Sequence, residues 1–194
     1  MTDTSFIDQQ FDEHLAVANA MRQTIAPDFA ELVDAGLSTV RAGGKILFFG
    51  NGGSAADAQH LATELVVRYV KDRPAIASLA LTTDTSAITA GSNDIGFDQI
   101  FARQIEALGR KEDMAIGIST SGTSANVLAG LDAARKIGMR TAGFSGESGG
   151  KMAPLCDVLI KAPHRVSNRI QEMHILIGHA FCGALEQQLG LVDG

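Results

Sequence analysis

Apolar residues in the first forty positions recur at steps of three and four, as on one face of a helix. The repeat passes through Phe11, Leu15, Ala18 and Met21, with Val17 beside it. Proline cannot continue a helix because it lacks the backbone donor, and Pro27 restarts the pattern. The segment 6–41 therefore predicts two amphipathic helices.

Five short apolar runs follow, each ending in a polar turn. Most of those turns lead into a segment with helical spacing, which is the rhythm of a parallel sheet with crossover helices. We therefore predict an α/β fold, a doubly wound five-stranded parallel sheet flanked by helices, with additional N-terminal helices. The predicted strands are 45–49, 76–81, 114–118, 140–144 and 157–160, and the predicted helices between and after them are 55–68, 86–90, 125–136 and 167–189.

The last predicted helix carries a stripe of apolar residues that should face the core. Ile170, Met173, Ile177, Phe181 and Leu185 form this stripe. In an open parallel sheet, ligands bind beyond the carboxyl ends of the strands, where the strand-to-helix turns converge. The chemistry is expected in those turns.

Composition narrows the function classes. The chain has 194 residues, of which 45% are hydrophobic, and this predicts one structural domain. A net charge of -6 without a basic stripe argues against nucleic acid as a partner. The chain has two cysteines and an acidic N-terminus, and its apolar runs are shorter than the roughly 18 residues of a membrane span. We therefore expect a cytoplasmic protein outside the membrane.

Two turns rich in glycine and hydroxyl residues follow predicted strands. The first spans 50–54, with Ser54 as the expected helix N-cap, and the second spans 119–124. A helix N-terminus offers free amides and partial positive charge, and surrounding hydroxyls suit the oxygens of a phosphate monoester. We predict that the second turn holds the phosphate of a sugar phosphate.

The alternative is that both segments are ordinary turns, because glycine and serine are common there for conformational reasons. Two such turns in one sheet make that interpretation weaker. Neither turn has the spacing of a dinucleotide-binding fingerprint, and neither ends in the Gly-Lys-Ser or Gly-Lys-Thr of a P-loop.

A metal-type set of side chains accompanies the first turn. His60 and Glu64 are four residues apart and project from one helix face, which Arg68 would continue. The last helix carries Gln171, His174 and His179; a lone helical histidine is by default a satisfied core residue. Gln171 and His179 would lie about 12 Å apart along the axis and about 80° apart around it. If zinc binds, His60, Glu64 and His179 are therefore better candidate ligands than Gln171.

Taken together, Gly50-Asn51-Gly52-Gly53-Ser54, the pair His60 and Glu64, the turn 119–124 and the segment Arg169-Ile170-Gln171-Glu172-Met173-His174 resemble the sugar isomerase (SIS) family. Within that family the chain is most similar to the phosphoheptose isomerases, and the resemblance covers nearly its whole length. It implies a flavodoxin-like sandwich over 43–194 that binds sugar phosphates, with helices in 1–42 that pack on it and on neighbouring subunits.

The resemblance also implies an activity and an assembly. It implies an intramolecular oxidoreductase that converts sedoheptulose 7-phosphate to D-glycero-D-manno-heptose 7-phosphate, on the route to activated heptose and lipopolysaccharide. It implies one Zn²⁺ per subunit and a homotetramer with active sites between subunits.

Site residues follow from the resemblance position by position. Glu64 and His179 are the expected catalytic pair, and His60, Glu64, Gln171 and His179 are the expected zinc ligands. Arg68 is our own addition, with a salt-bridged helix face as the alternative, and Ser54 and Gln171 are also expected near the substrate. The substrate residues are Asn51, Gly52, Gly53, Ser54, Glu64, Arg68, Asn93, Asp94, Ser119, Thr120, Ser121, Ser124 and Gln171.

We expect an enediol mechanism in which Glu64 moves the carbon-bound proton and His179 moves protons between the oxygens. A direct hydride shift is the alternative, and zinc ligation by Glu64 would compete with its role as base. A sister group of the family lacks catalysis and binds the bacterial replication initiator; positions matching Glu64 and His179 are substituted there but kept here. A DNA-linked sugar-phosphate sensor is the third hypothesis, although no helix-turn-helix or basic patch accompanies the domain.

Overall fold

The computed structural model describes residues 3–193, which form five strands and seven α-helices. Two N-terminal helices precede the sheet, as the hydrophobic repeat predicts. The other five follow strands, with two of them in succession between the second and third strands and a short 3₁₀ helix between the fourth and fifth. The helices are α1 (Ser5–Arg22), α2 (Ala26–Arg41), α3 (Gly53–Val66), α4 (Thr85–Asp94), α5 (Ile100–Leu108), α6 (Ala125–Ile137) and α7 (Ser167–Gln188).

All strands pair in parallel, in the order β2-β1-β3-β4-β5. The order in which strands are added to the sheet reverses direction between β1 and β3. The carboxyl ends of these two strands therefore form the crevice where such folds bind ligands. The predicted five-stranded, doubly wound sheet is confirmed. The strands are β1 (Ile46–Gly50), β2 (Ser78–Ala80), β3 (Met114–Ile118), β4 (Arg140–Ser145) and β5 (Val158–Lys161).

Alternate residues of β1 pack into two separate cores, one on each face of the sheet. Ile46 and Phe48 join the core formed with α1, α2, α3 and α7, whereas Leu47 and Phe49 join the core formed with α5 and α6. All of β1 is buried, which explains its unbroken apolar sequence.

Several boundaries differ from the predictions. The predicted helix 55–68 begins at Gly53 and ends at Val66, and its N-cap is Gly52, with φ +56°, instead of Ser54. Ser54 is buried inside the first turn of α3. Asn93 and Asp94, which lie beyond the predicted helix 86–90, form part of the last turn of α4, and α5 has no counterpart among the predicted elements.

Within residues 3–193, no helix combines the length and apolar character needed to cross a membrane.

Candidate active site

The turns after β1 and β3 are joined by a reciprocal pair of amide hydrogen bonds. Asn51 Nδ2 donates to Asn126 Oδ1, and Asn126 Nδ2 donates back to Asn51 Oδ1, each at 2.8 Å. Asn126 is buried near the start of α6. The pair fixes the first turn against the helix that begins after the second, so the two predicted turns lie side by side.

Hydroxyl groups of the second turn face one another. Ser119 Oγ lies 2.9 Å from Ser124 Oγ and 3.4 Å from Ser121 Oγ. Thr120 Oγ1 lies 3.3 Å from the hydroxyl of Ser167, the first residue of α7. Three of these hydroxyls therefore converge at the N-terminus of α6, where the free amides and the helix dipole favour an anion.

Gly122 gives this turn its shape. Its φ of +64° favours glycine, and a Cβ there would lie 2.4 Å from the carbonyl oxygen of Gly149. The Gly122 carbonyl accepts a 2.7 Å hydrogen bond from the Lys151 backbone amide. The loop after β4 thus packs against the turn 119–124.

His60 and Glu64 from α3 meet His179 from α7. His60 Nε2 lies 3.0 Å from Glu64 Oε1 and 3.0 Å from His179 Nε2. One ligand atom from each residue lies within 4.8 Å of those from the other two, so the three could hold a metal ion. Two imidazoles and one carboxylate form a donor set typical of catalytic zinc.

Close approach of α3 and α7 creates this cluster. A Cβ at Gly178 would lie 2.5 Å from both terminal methyl carbons of the buried Leu61, so the absence of a side chain lets the helices approach. Gln171 packs at the other end of α3, where a Cβ on Gly53 would lie 2.5 Å from its Nε2. Gln171 is therefore placed at the first turn, beside the start of α3.

Two titratable groups near these elements are shifted by burial. Burial raises the pKa of Asp57 to about 6, although nearby His60 opposes the shift. Asp57 Oδ2 is buried and has no hydrogen-bond partner among the described residues. Burial lowers the pKa of His174 to about 4, so its imidazole is neutral, with Nε2 3.0 Å from the Ser145 carbonyl.

Three candidate substrate residues form hydrogen bonds away from the cluster of two histidines and one glutamate. Arg68 lies beyond the end of α3 and pairs with Asp72, which corresponds to the salt-bridged alternative. Asn93 Nδ2 donates to Asp94 Oδ1 at 2.7 Å, and both residues are exposed. All three stay predictions.

Sequence reasoning missed Asn126 and Asp57. Asn126 lies two residues after the turn 119–124, and its position near the helix start is the only local signal. Asp57 lies one turn before His60 on α3, a spacing that could have indicated a link to the histidine.

Residues 9–146 match the family model of the SIS domain, which is more than half of the chain. The chain belongs to the SIS domain family. Its inferred resemblance to phosphoheptose isomerases is also confirmed. The phosphoheptose isomerase of Paramagnetospirillum magneticum is 56% identical over 186 residues, covering 96% of this chain and 97% of the relative.

Solved structures of the SIS fold agree. A phosphoheptose isomerase from Neisseria gonorrhoeae superposes with a TM-score of 0.90 at 41% identity, covering 96% of this chain and all of that one. One from Francisella tularensis gives 0.92 at 34% identity, with the same coverage. These similarities identify the SIS chain as an enzyme of the isomerase class.

Proposed function

We propose that this chain is a phosphoheptose isomerase that converts sedoheptulose 7-phosphate to D-glycero-D-manno-heptose 7-phosphate. The observation that carries the proposal is the convergence of His60, Glu64 and His179 in a chain that also has a hydroxyl-lined phosphate turn. Relatives named phosphoheptose isomerase support the substrate. The cytoplasm is the proposed compartment, where the heptose would enter activated-heptose and lipopolysaccharide synthesis.

The donor set fits zinc. Bonds of about 2.0–2.1 Å in a tetrahedral site place neighbouring ligand atoms about 3.4 Å apart. The distances from His60 Nε2 to Glu64 Oε1 and to His179 Nε2, 3.0 Å each, are close to that value. We propose His60, Glu64 and His179 as ligands of one Zn²⁺ per subunit. Zinc held there would polarise the substrate carbonyl. Gln171, the fourth ligand that the resemblance implies, lies at the other end of α3 in this chain and stays a prediction.

Glu64 and His179 are the proposed acid-base pair. Glu64 presents one carboxylate oxygen to His60, which leaves the other to take the proton from the substrate carbon and return it to the next. His179 moves the proton between the two sugar oxygens. The ion-facing and proton-moving roles of Glu64 are thereby divided between its two oxygens.

The phosphate turn provides binding energy away from the reacting carbons. Ser119, Thr120, Ser121 and Ser124 would donate to the phosphate, while the glycines at 52 and 53 let the first turn approach the sugar. Holding the far end of an open-chain sugar orients its carbonyl end towards Glu64. Asn51, Ser54, Arg68, Asn93 and Asp94 complete the proposed substrate residues.

A homotetramer is the proposed assembly, with α1 in contacts between subunits. Exposure in the single chain is between 50% and 62% for Ile7, Phe11 and Leu15 of α1, which are spaced four residues apart on one side of the helix. A row of exposed large apolar residues is expected at a protein interface. Neighbouring subunits would cover this row.

Replacement of either catalytic residue tests the proposal. We expect Glu64→Gln and His179→Gln to lower turnover of sedoheptulose 7-phosphate by about 100-fold or more, because each removes a positioned proton carrier. Circular dichroism should show that both variants fold. Near-normal turnover in either would remove that residue from the mechanism.

The adaptor hypothesis is not favoured, because the full-length similarities are to phosphoheptose isomerases and Glu64 and His179 are both present. Its distinguishing result would be recovery of the replication initiator in a pull-down, with no turnover of sedoheptulose 7-phosphate. The DNA-linked sensor is weaker, since the chain carries a net charge of -6.

A further inference from the structure

Arg73 completes the end of α3. The last carbonyls of a helix have no partner within it, and α3 ends at Val66, two residues after Glu64. Arg73 Nη2 donates to the Glu64 carbonyl at 2.6 Å, and Nη1 donates to the Leu65 carbonyl at 2.7 Å. The guanidinium therefore holds the backbone of a candidate catalytic residue.

The same guanidinium reaches α7. Arg73 Nε donates to Glu186 Oε1 at 2.8 Å, and the two side chains are 0% and 3% exposed. Glu186 lies seven residues after His179, which is two helical turns, so both residues lie on one side of α7. Arg73 thus connects the helix of Glu64 to the helix of His179.

Glu186 also places an aromatic ring beside the cluster. Its Oε1 accepts a 3.0 Å hydrogen bond from the Tyr69 backbone amide. The Tyr69 ring packs on His179, with centroids 5.5 Å apart and planes 33° apart. A Cβ at Gly183 would lie 3.1 Å from Tyr69 Cε1, so the ring is also confined by α7.

We propose that Arg73 and Glu186 are positioning residues, which set the separation of α3 and α7 and thereby the geometry of His60, Glu64 and His179. The inference rests on the proposed metal-dependent isomerase function and adds to it the residues that align its two helices. A planar guanidinium serves two carbonyls and one carboxylate at once, which a lysine ammonium cannot do in the same geometry. Tyr69 transmits the alignment to the His179 ring.

Zinc affinity of the purified metal-free protein tests this inference without an activity assay. Glu186→Gln keeps the size of the side chain but removes its negative charge. Arg73→Lys keeps the positive charge but removes the planar guanidinium group. We expect both to weaken zinc binding about tenfold in competition with a chromophoric chelator, as when ligand support is lost. In the zinc-loaded enzyme, kcat should fall by a similar factor while KM stays within about twofold, since the phosphate turn is unaltered.

Asp113→Asn is the matched control. Asp113 is also a buried carboxylate in an ion pair, 2.5 Å from Lys45 Nζ. It precedes β3 at the amino end of the sheet, opposite the site. We expect this variant to lower the Tm but to keep the zinc affinity and kcat of the wild type.

Tyr69 supplies a second test should the charge variants not fold. Its side chain is partly exposed, and its backbone amide remains after substitution. Tyr69→Leu should weaken zinc binding by a few-fold, whereas Tyr69→Phe, which keeps the ring, should not.

Two results would overturn the inference. The first is that the folded Arg73→Lys and Glu186→Gln variants keep the zinc affinity and kcat of the wild type. If those variants do not fold, the corresponding result is wild-type zinc affinity in Tyr69→Leu. The other is an equal loss of zinc affinity in Asp113→Asn, which would show that lowered stability alone is responsible. A wild-type protein that binds zinc but does not isomerise the sugar would contradict the proposed function only.

Discussion

Asp57 is a carboxyl group in an environment that disfavours its ionised form. It lies on α3 one turn before His60, and burial raises its pKa to about 6. The buried carboxyl oxygen lacks a hydrogen-bond partner among the described residues, and an ionised group in that position costs free energy. The cost is absent below the ordinary pKa of about 4 and complete above about 6.

Asp57→Asn should therefore stabilise the metal-free protein at neutral pH. We expect a gain of about 1 kcal/mol at pH 7.5, reduced by the partial solvent exposure of the group, and almost no gain at pH 4. Thermal unfolding at both pH values measures it. The exposed Asp98→Asn is the control, and an equal effect of Asp57→Asn at both pH values would contradict the explanation.

At this scale the sequence predicts residues that carry local patterns. His60 and Glu64 share a helix face by their spacing alone, and the hydroxyl turn is visible as a run. His179 joins them only through the contact of α7 with α3, and a lone histidine is usually a core residue, as His174 is. The resemblance, and not the spacing, selected His179 for catalysis.

Among the elements, the loop after β4 determines the shape of the turn 119–124. Gly122 lies against Gly149, and a Cβ on Gly150 would lie 2.5 Å from the Gly122 carbonyl. Two backbones in such close contact leave no space for a side chain. The hydroxyls from Ser119 to Ser124 are thus held by packing between elements and not by the turn sequence alone.

Gly122→Ala should disrupt this contact. The φ of +64° and the close Gly149 oxygen predict a loss of about 1–3 kcal/mol in stability and a rise of about tenfold in KM for the sugar phosphate. Urea unfolding and steady-state kinetics measure the two effects. Gly43→Ala is the matched control, since Gly43 has φ +75° but nothing within 4 Å of a Cβ.

An unchanged KM in the Gly122→Ala variant would mean that this turn does not bind the phosphate.

The elements themselves were predictable where apolar runs were continuous, as in β1 and β3. The bounds of α3 were not, because Gly52 begins the helix by its positive φ, and Arg73, seven residues beyond the helix end, satisfies its last carbonyls. A glycine conformation before the helix and a side chain beyond its end thus determined the bounds that the apolar pattern missed.

For the whole molecule, alternation of apolar runs and helical segments predicted the sheet and its layers. The strand order places the turns after β1 and β3 side by side, and the neighbouring α3 and α7 complete the cluster. The apolar row on α1 is the part of the pattern that the fold of a single chain does not explain. Helical periodicity alone predicts that it faces a core, yet it is exposed in the single chain.

Phe11→Glu should therefore dissociate the proposed tetramer. We expect a species near four times the 20.3 kDa chain mass for the wild type and a smaller one for the variant, because a charge at a buried interface is costly. Light scattering after gel filtration measures both. Gln9→Glu, on the opposite side of α1, adds the same charge and should leave the mass unchanged; an unaltered mass in Phe11→Glu would exclude α1 from the interface.

The most direct test of the account is conversion of sedoheptulose 7-phosphate by the purified protein, compared with other ketose phosphates and followed by the appearance of aldose. We predict formation of D-glycero-D-manno-heptose 7-phosphate, its loss after treatment with a chelator, and its recovery when zinc is restored. No aldose from sedoheptulose 7-phosphate with the zinc-loaded protein would contradict the central claim.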